Sequence, residues 1–407
     1  MPSSVPESSV QRILLGQLGA NGDCLYATIL ARQLRQDYPS AHITWAISSQ
    51  CSSLLRNNPH IDRVWELPIA DWNVHAQAWS IFEREALRDY VRHEYDYVVL
   101  SQIWPNNFQN YDGTVRPSIL RAYGKPITVP IENVINLTPE EIDRVESYVR
   151  QSGIGERQHR ILFECSSRSG QSFITPDIAQ DIAEQLYARL PDATVIFSTH
   201  LPMVLRDARS RQVSSLSLRE VAHLTHHCTL FVGSGSGGTV AASSSASRAL
   251  PMILILSEAT SVYASFAHDF EYFGIDRPPV IELTREDPQF IAECIATACR
   301  EGAQTALTRF NGVMPLTFGY YFAMIVSELL ARNLYLDAAQ SLEHTAARYG
   351  WTAELINFGA SRILPGFQQD PSWVFAKSRE RAEAFRAKLE QASRDPAPRA
   401  VQSPRPH

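Results

Sequence analysis

The sequence predicts an α/β protein: two Rossmann-like domains facing one another across a cleft, with a helical appendage behind them. Three observations carry this. Strand-length apolar runs alternate with stretches of helical periodicity over roughly the first 310 residues. The alternation starts, pauses near Gly153, and starts again. The 407-residue chain is also too long for one ordinary core.

The elements follow in order. "RILLG" (12–16) is a short apolar strand bounded by glycine, and Tyr26, Leu30 and Leu34 then fall at helical spacing up to Pro39. "HITWAIS" (42–48) is the next strand, completing a right-handed βαβ unit. A helical stretch over 75–93 and the strand "YDYVVLS" (95–101) extend this layer. Thr138, Pro139 and Glu141 spell a capping box with proline in the first turn. "RILFECS" (160–166) opens the second layer, and Thr175-Pro176 starts a helix that leads to "ATVIFST" (193–199). Ser217 and Glu220 form another capping box, for a helix running to about His227. "TLFVG" (229–233), the turn "SGSGG" and "MILILS" (252–257) follow. From about 316 two amphipathic helices are expected, broken near Asn333; one such pair cannot build a solenoid and is read as a packing appendage. The expected domains are 10–155, 156–312 and a helical extension over 313–392, with 393–407, rich in Pro and Arg, disordered.

Composition narrows the function. A net charge of -6 argues against phosphate-driven nucleic-acid binding. Six cysteines without CxxC pairs fit reduced thiols better than a disulfide framework or a zinc site, so no metal or cofactor is expected. The polar N-terminus shows no signal-peptide pattern, and no apolar run is long enough to span a bilayer. A cytoplasmic protein is expected, with peripheral contact at a membrane left open.

The loop "GQLGANGD" (16–23) poses the chemical question. A glycine-rich turn at a helix start usually receives an anion, yet Asp23 would repel one. Asp23 is therefore a helix cap, or the loop handles something other than phosphate.

"RILLGQLGANGDCLYATILARQLRQDYPSAHITWAIS" followed by "LLRNNPHIDRVWELP" resembles the opening of glycosyltransferase family 9, the ADP-heptose:lipopolysaccharide heptosyltransferases, in its strand, GxxGD turn, helix ending in YP, strand and NP-x-ID segment. A second block, "SLSLREVAHLTHHCTLFVGSGSGGTVAASSSASRALPMILI", resembles that family's nucleotide-side helix, strand, turn and helix. The resemblance implies a GT-B fold, transfer of a sugar from a nucleotide-diphosphate donor with inversion, and a glycan or glycolipid acceptor. It makes Asp23 the base on the acceptor hydroxyl, with Gly19, Asn21 and Gly22 on the acceptor side. A positioned carboxylate suits that chemistry, because the hydroxyl loses its proton as it attacks an oxocarbenium-like carbon.

The second domain offers two donor-side turns. Ser236, Gly237, Gly238 and Thr239 form a glycine-serine turn at a helix start, suited to a diphosphate. Ser166, Ser167 and Arg168 offer hydroxyls and a cation, and Gln171 stands near a position where the family keeps a lysine. Two departures matter. Gly235 and Val240 occupy positions where the family keeps an aspartate and a histidine, which puts heptose specificity in doubt. In the first domain the loop 101–124 follows a strand and is rich in Asn, Trp and Tyr, which makes Trp104, Asn106, Asn107, Asp112 and Arg116 acceptor-side candidates. Competing readings are a non-catalytic sugar-nucleotide-fold binder and a dinucleotide oxidoreductase. The latter rests on Gly233, Gly235 and Gly238 spelling G-x-G-x-x-G after a strand, with Glu258 downstream.

Overall fold

A computed structural model describes residues 10–69, 71–167, 170–394 and 396–397. Ile13, Leu14 and Leu15 are buried on both faces of strand β1 (Arg12–Gly16), as a central parallel strand requires. Helix α1 (Asn21–Asp37) returns the chain to β2 (His42–Ser48), which pairs in parallel with β1, Ile13 opposite Ile43. Strand β3 (Arg63–Leu67), helix α2 (His75–Val91) and strand β4 (Tyr97–Leu100) complete a four-stranded sheet of order β3-β2-β1-β4. Helix α3 (Val115–Arg121) packs on α1, and α4 (Pro139–Ser152) carries the capping box expected of Thr138 and Glu141.

The second sheet is also parallel, in the order β10-β9-β8-β5-β6-β7. Its elements are β5 (His159–Glu164), α5 (Pro176–Arg189), β6 (Ala193–Ser198), β7 (Ser210–Val213), α6 (Leu218–Leu224), β8 (Leu230–Gly233), the short α7 (Gly237–Ala241) and β9 (Met252–Ile255). Helices α8 (Ser261–Ala264) and α9 (Phe266–Phe273), strand β10 (Val280–Leu283), and helices α10 (Pro288–Glu301) and α11 (Ala303–Phe310) follow. The capping box of Ser217 and Glu220 is formed, and Thr175 caps α5. The strands that sequence reasoning did not anticipate, β3, β7 and β10, all lie at sheet edges. Edge strands need no two-sided apolar run, and "RVWEL" and "SRQV" have none.

Two stretches join the halves. Residues 131–136 run between them: Asn133 bridges to Ser244, and the Ile135 N–H donates to Ser245 Oγ at 3.0 Å. Helix α4 then packs on α6 of the second half. Behind both, α12 (Gly319–Glu328) and α13 (Tyr335–Tyr349) break at Asn333, whose φ of 59° is left-handed. Helices α14 (Ala353–Phe358) and α15 (Ala376–Arg394) complete the appendage. It returns to the first domain, where Ser341 Oγ donates to the Tyr111 carbonyl at 2.6 Å. The helix reaches Arg394, past the expected end at 392; of the remaining tail, Asp395 and residues 398–407 lie outside the described residues. Two Rossmann-like domains thus face one another with the carboxyl ends of their strands lining one cleft, the GT-B arrangement.

Candidate functional site

The cleft encloses about 740 Å³ and is lined from both domains. On the first-domain side, β1 ends in a loop whose backbone is tied down: Gln102 Oε1 accepts from the Leu18 and Gly19 N–H groups at 3.0 and 3.2 Å. That loop delivers Ala20 as the helix N-cap, with no side-chain cap bond. Asp23 is thus the third residue of α1, not its cap. Its carboxyl faces the cleft, and the Ala20 backbone N–H hydrogen-bonds to it. Removal from bulk water dominates, and it pushes the Asp23 pKa up to about 7, while the Ala20 hydrogen bond pulls the other way.

Gly22, beside Asp23, serves the domain contact. A Cβ on Gly22 would lie 3.7 Å from Gly237 Cα and 3.3 Å from Val240 Cγ2, and one on Gly237 would lie 3.3 Å from Asn21 Cβ. Two glycine turns, one from each domain, therefore meet where the cleft closes. The thiols of Cys24 and Cys51 lie just below, hydrogen-bonded to one another, with Cys51 lining the cleft.

In the second domain the glycine-serine turn holds an anion supplied by the protein. Glu164, at the end of β5, accepts from the Ser234 N–H at 3.0 Å and hydroxyl at 3.1 Å, and from the Ser236 hydroxyl at 2.5 Å. It also accepts from the Thr239 N–H at 3.2 Å and hydroxyl at 2.6 Å. This corrects the expectation for Thr239. It is fully buried and both its donors go to Glu164. Ser236, Gly237 and Gly238 line the cleft, but the α7 start already carries a carboxylate. The same fact removes the ground for a dinucleotide fingerprint: Gly238 is required by Glu164, whose Oε1 an added Cβ would overlap.

Ser166 and Gln171 line the cleft. Thr199 Oγ1 donates to Ser166 Oγ at 3.1 Å, and His200 Nδ1 lies 3.4 Å from the same oxygen. Gln171 Nε2 donates to the Gly235 carbonyl at 3.2 Å, which leaves its buried Oε1 without a hydrogen-bond partner. Its Cγ stands 3.6 Å from where a side chain at Gly235 would begin. Ser167 is partly buried and is not among the lining residues; Arg168 lies outside the described residues.

Of the expected acceptor-side residues, Asn21, Gly22 and Arg116 line the cleft; Gly19, Trp104, Asn106, Asn107 and Asp112 do not. The reasons are local. Trp104 stacks on His75, with ring centroids 6.1 Å apart. Asn106 donates to Glu83 at 2.6 Å, and Asn107 to the Gln102 carbonyl at 2.7 Å. Asp112 is fully buried and pairs with Arg121 at 2.7 Å and Arg348 at 3.7 Å. Residues that sequence reasoning missed include Glu164, Tyr26, His200 and Asp269. Position at a strand end was the available signal for Glu164 and His200. Among the described lining residues Arg116 is the single lysine or arginine, against the carboxyls of Asp23, Glu164 and Asp269. No group of three or more His, Cys, Asp or Glu among the described residues could hold a metal ion, and no described helix is long and apolar enough to cross a membrane.

No protein-family model and no curated protein matches the chain. Solved structures do resemble it. The glycosyl transferase family 9 protein from Veillonella parvula is 14% identical over 74% of this chain and 98% of its own, with a TM-score of 0.49. The ADP-heptose lps heptosyltransferase II of E. coli is 15% identical over 74% of this chain and 100% of its own, with a TM-score of 0.46. The UDP-GlcNAc 2-epimerase of Neisseria meningitidis, bound to UDP-GlcNAc, is 13% identical over 79% of this chain and 100% of its own, with a TM-score of 0.42.

Proposed function

We propose that this chain is an inverting glycosyltransferase that moves a sugar from a nucleotide-diphosphate donor to a hydroxyl of a cell-envelope glycan or similar acceptor. The observation that carries the reading is Asp23: a carboxyl at the mouth of α1, facing an interdomain cleft, with a pKa raised to about 7 by burial. A general base works best when its pKa lies near the operating pH. In the step itself Asp23 takes the acceptor proton as the hydroxyl oxygen bonds to the anomeric carbon. The bond from that carbon to the diphosphate oxygen breaks on the opposite face, and the nucleoside diphosphate leaves with the electron pair. In this reading the cleft-lining residues divide between the substrates: Asn21 and Gly22 serve the acceptor, and Ser166, Gln171 and the backbone at Gly237–Gly238 serve the donor. The enzyme would work in the cytoplasm, its acceptor reached by peripheral contact at the inner membrane.

The alternative, a non-catalytic binder of sugar nucleotides, is favoured by one observation: Glu164 satisfies the hydroxyls that would otherwise meet a diphosphate. Calorimetric titration with ADP, UDP, GDP and NAD, followed by an assay for sugar-dependent release of nucleoside diphosphate, separates the readings. Transfer requires nucleoside-diphosphate binding and release that Asp23→Asn suppresses. Tight binding without release in any donor and acceptor combination supports the binder, and preference for NAD overturns both.

A further inference from the structure

Arg116 on α3 and Asp269 on α9 form an ion pair across the cleft, one partner from each domain. The side chains are 2% and 8% exposed, and Arg116 Nε lies 3.2 Å from Asp269 Oδ2. Neither that nitrogen nor either carboxylate oxygen has a hydrogen-bond partner. A buried ion pair recovers its desolvation cost only when hydrogen bonds fill the remaining valences. Elsewhere the same chain builds such pairs well: Arg219 grips Glu141 through two bonds of 2.9 and 2.8 Å, and Arg121 donates to Asp112 at 2.7 Å. The pair with open valences is the one that faces the cleft.

Its position is fixed. The Arg116 guanidinium sits 4.6 Å from the Tyr26 ring centroid, with Phe270 at 5.6 Å and Phe273 at 5.9 Å. Tyr26 is one turn along α1 from Asp23. The open valences also define the chemistry of a group that would suit them. Two carboxylate oxygens without partners call for donors, and a phosphate or carboxylate offers few or none while being repelled by Asp269. An amine would meet Arg116. A neutral hydroxyl both donates and accepts, and two adjacent hydroxyls on a ring serve both partners at once.

We propose that Arg116 and Asp269 form a hydroxyl-reading subsite for a sugar ring, in which Asp269 accepts from one hydroxyl and Arg116 donates to its neighbour. The ring ties the two domains together at a point one helical turn from Asp23. That this ring belongs to a reacting sugar rests on the transfer reading above; the diol chemistry is the same whether it arrives on the donor or the acceptor.

The test uses the full-length chain in two arms. One compares UDP-glucose, UDP-galactose and ADP-glucose with UDP and ADP by calorimetry. The other titrates glucose, galactose, mannose and N-acetylglucosamine into protein saturated with nucleoside diphosphate, read by saturation-transfer NMR. A sugar-dependent gain in the first arm assigns the ring to the donor, and in the second to the acceptor. In either, Asp269→Asn and Arg116→Lys should cut that gain about tenfold or more, as expected for hydrogen bonds to charged groups, with nucleoside-diphosphate affinity held at a temperature where the variants remain folded. Deoxy versions of the responding sugar provide a check on the unmodified protein: removal of either of two vicinal hydroxyls should abolish the gain. A gain that survives both variants and every deoxy sugar overturns the subsite and leaves the transfer reading standing. Parallel loss of nucleoside-diphosphate binding overturns it in favour of a structural pair. No sugar-dependent gain in either arm overturns both.

Discussion

Thr239 gives both its backbone N–H and its hydroxyl to the carboxylate of Glu164, at 3.2 and 2.6 Å, so the start of α7 is held by an anion built into the fold. Glu164 is 4% exposed and also receives Ser234 and Ser236. Glu164→Ala leaves several buried donors without an acceptor, each costing about 1–3 kcal/mol. The expected result is a fall in melting temperature larger than any other single substitution at the cleft produces. A variant that melts with the wild type would show that water or a ligand replaces the carboxylate there.

Gly238 is tied to the same carboxylate. A Cβ at this position would overlap Glu164 Oε1, which the Ser236 hydroxyl and the Thr239 N–H hold in place. Gly238→Ala is expected to cost about 1–3 kcal/mol, the range for overpacking a close-fitted site. Gly155→Ala, with nothing within 4 Å of the added carbon, is the control. Equal melting temperatures for the two variants would refute the argument.

How much of this was legible in the sequence depends on the distance over which each feature is specified. The capping boxes at Thr138 and Ser217 involve residues three apart and were readable as written. So were β1, α1 and β2, whose apolar periodicity belongs to each element alone. The edge strands were not, because pairing on one side leaves little apolar signature. Glu164 stood at a strand end, the one signal "RILFECS" offered, but its role could not be read, because the 234–239 turn whose donors it accepts lies seventy residues on. Trp104, Asn106, Asn107 and Asp112 had the right composition for a sugar loop, yet tertiary partners such as His75, Glu83 and Arg348 claim Trp104, Asn106 and Asp112 for structure.

Arg219 is a further long-range tie. It joins α6 to the first domain by donating to the Leu54 carbonyl at 3.0 Å, to the Asn136 carbonyl at 2.8 Å, and to Glu141 through two bonds. Arg219→Met leaves Glu141 buried without its partner, a change that typically costs about 3–5 kcal/mol. The pH dependence has a definite sign. The hydrogen bonds from Arg219 hold the Glu141 pKa down at about 2, against an ordinary 4.5. Its contribution is therefore complete above about 4.5 and is lost as pH falls from there to about 2. Melting curves of wild type and Arg219→Met should converge over that window. A constant gap from pH 7 to pH 2 would place the effect in packing alone.

Asp23→Asn separates catalysis from helix support by moving two observables in opposite directions. Loss of a general base is expected to lower transfer by roughly 100- to 10,000-fold while nucleoside-diphosphate affinity holds. Stability should move the other way. The Asp23 pKa is about 7 in the folded chain and 3.8 ordinarily, so between those values the unfolded chain releases a proton that the folded chain keeps. Ionised Asp23 then destabilises the fold, with no cost below about 3.8 and the full cost above about 7. Asn carries no such penalty. The melting temperature of Asp23→Asn should match the wild type near pH 3.5 and rise above it as pH climbs to 8, less whatever the Ala20 hydrogen bond contributed. The wild-type transfer rate should increase through pH 7 as the carboxylate forms, and the residual rate of the variant should not. A variant that melts below the wild type at pH 8 and keeps its turnover would reduce Asp23 to a helix-start residue and leave the cleft without its base.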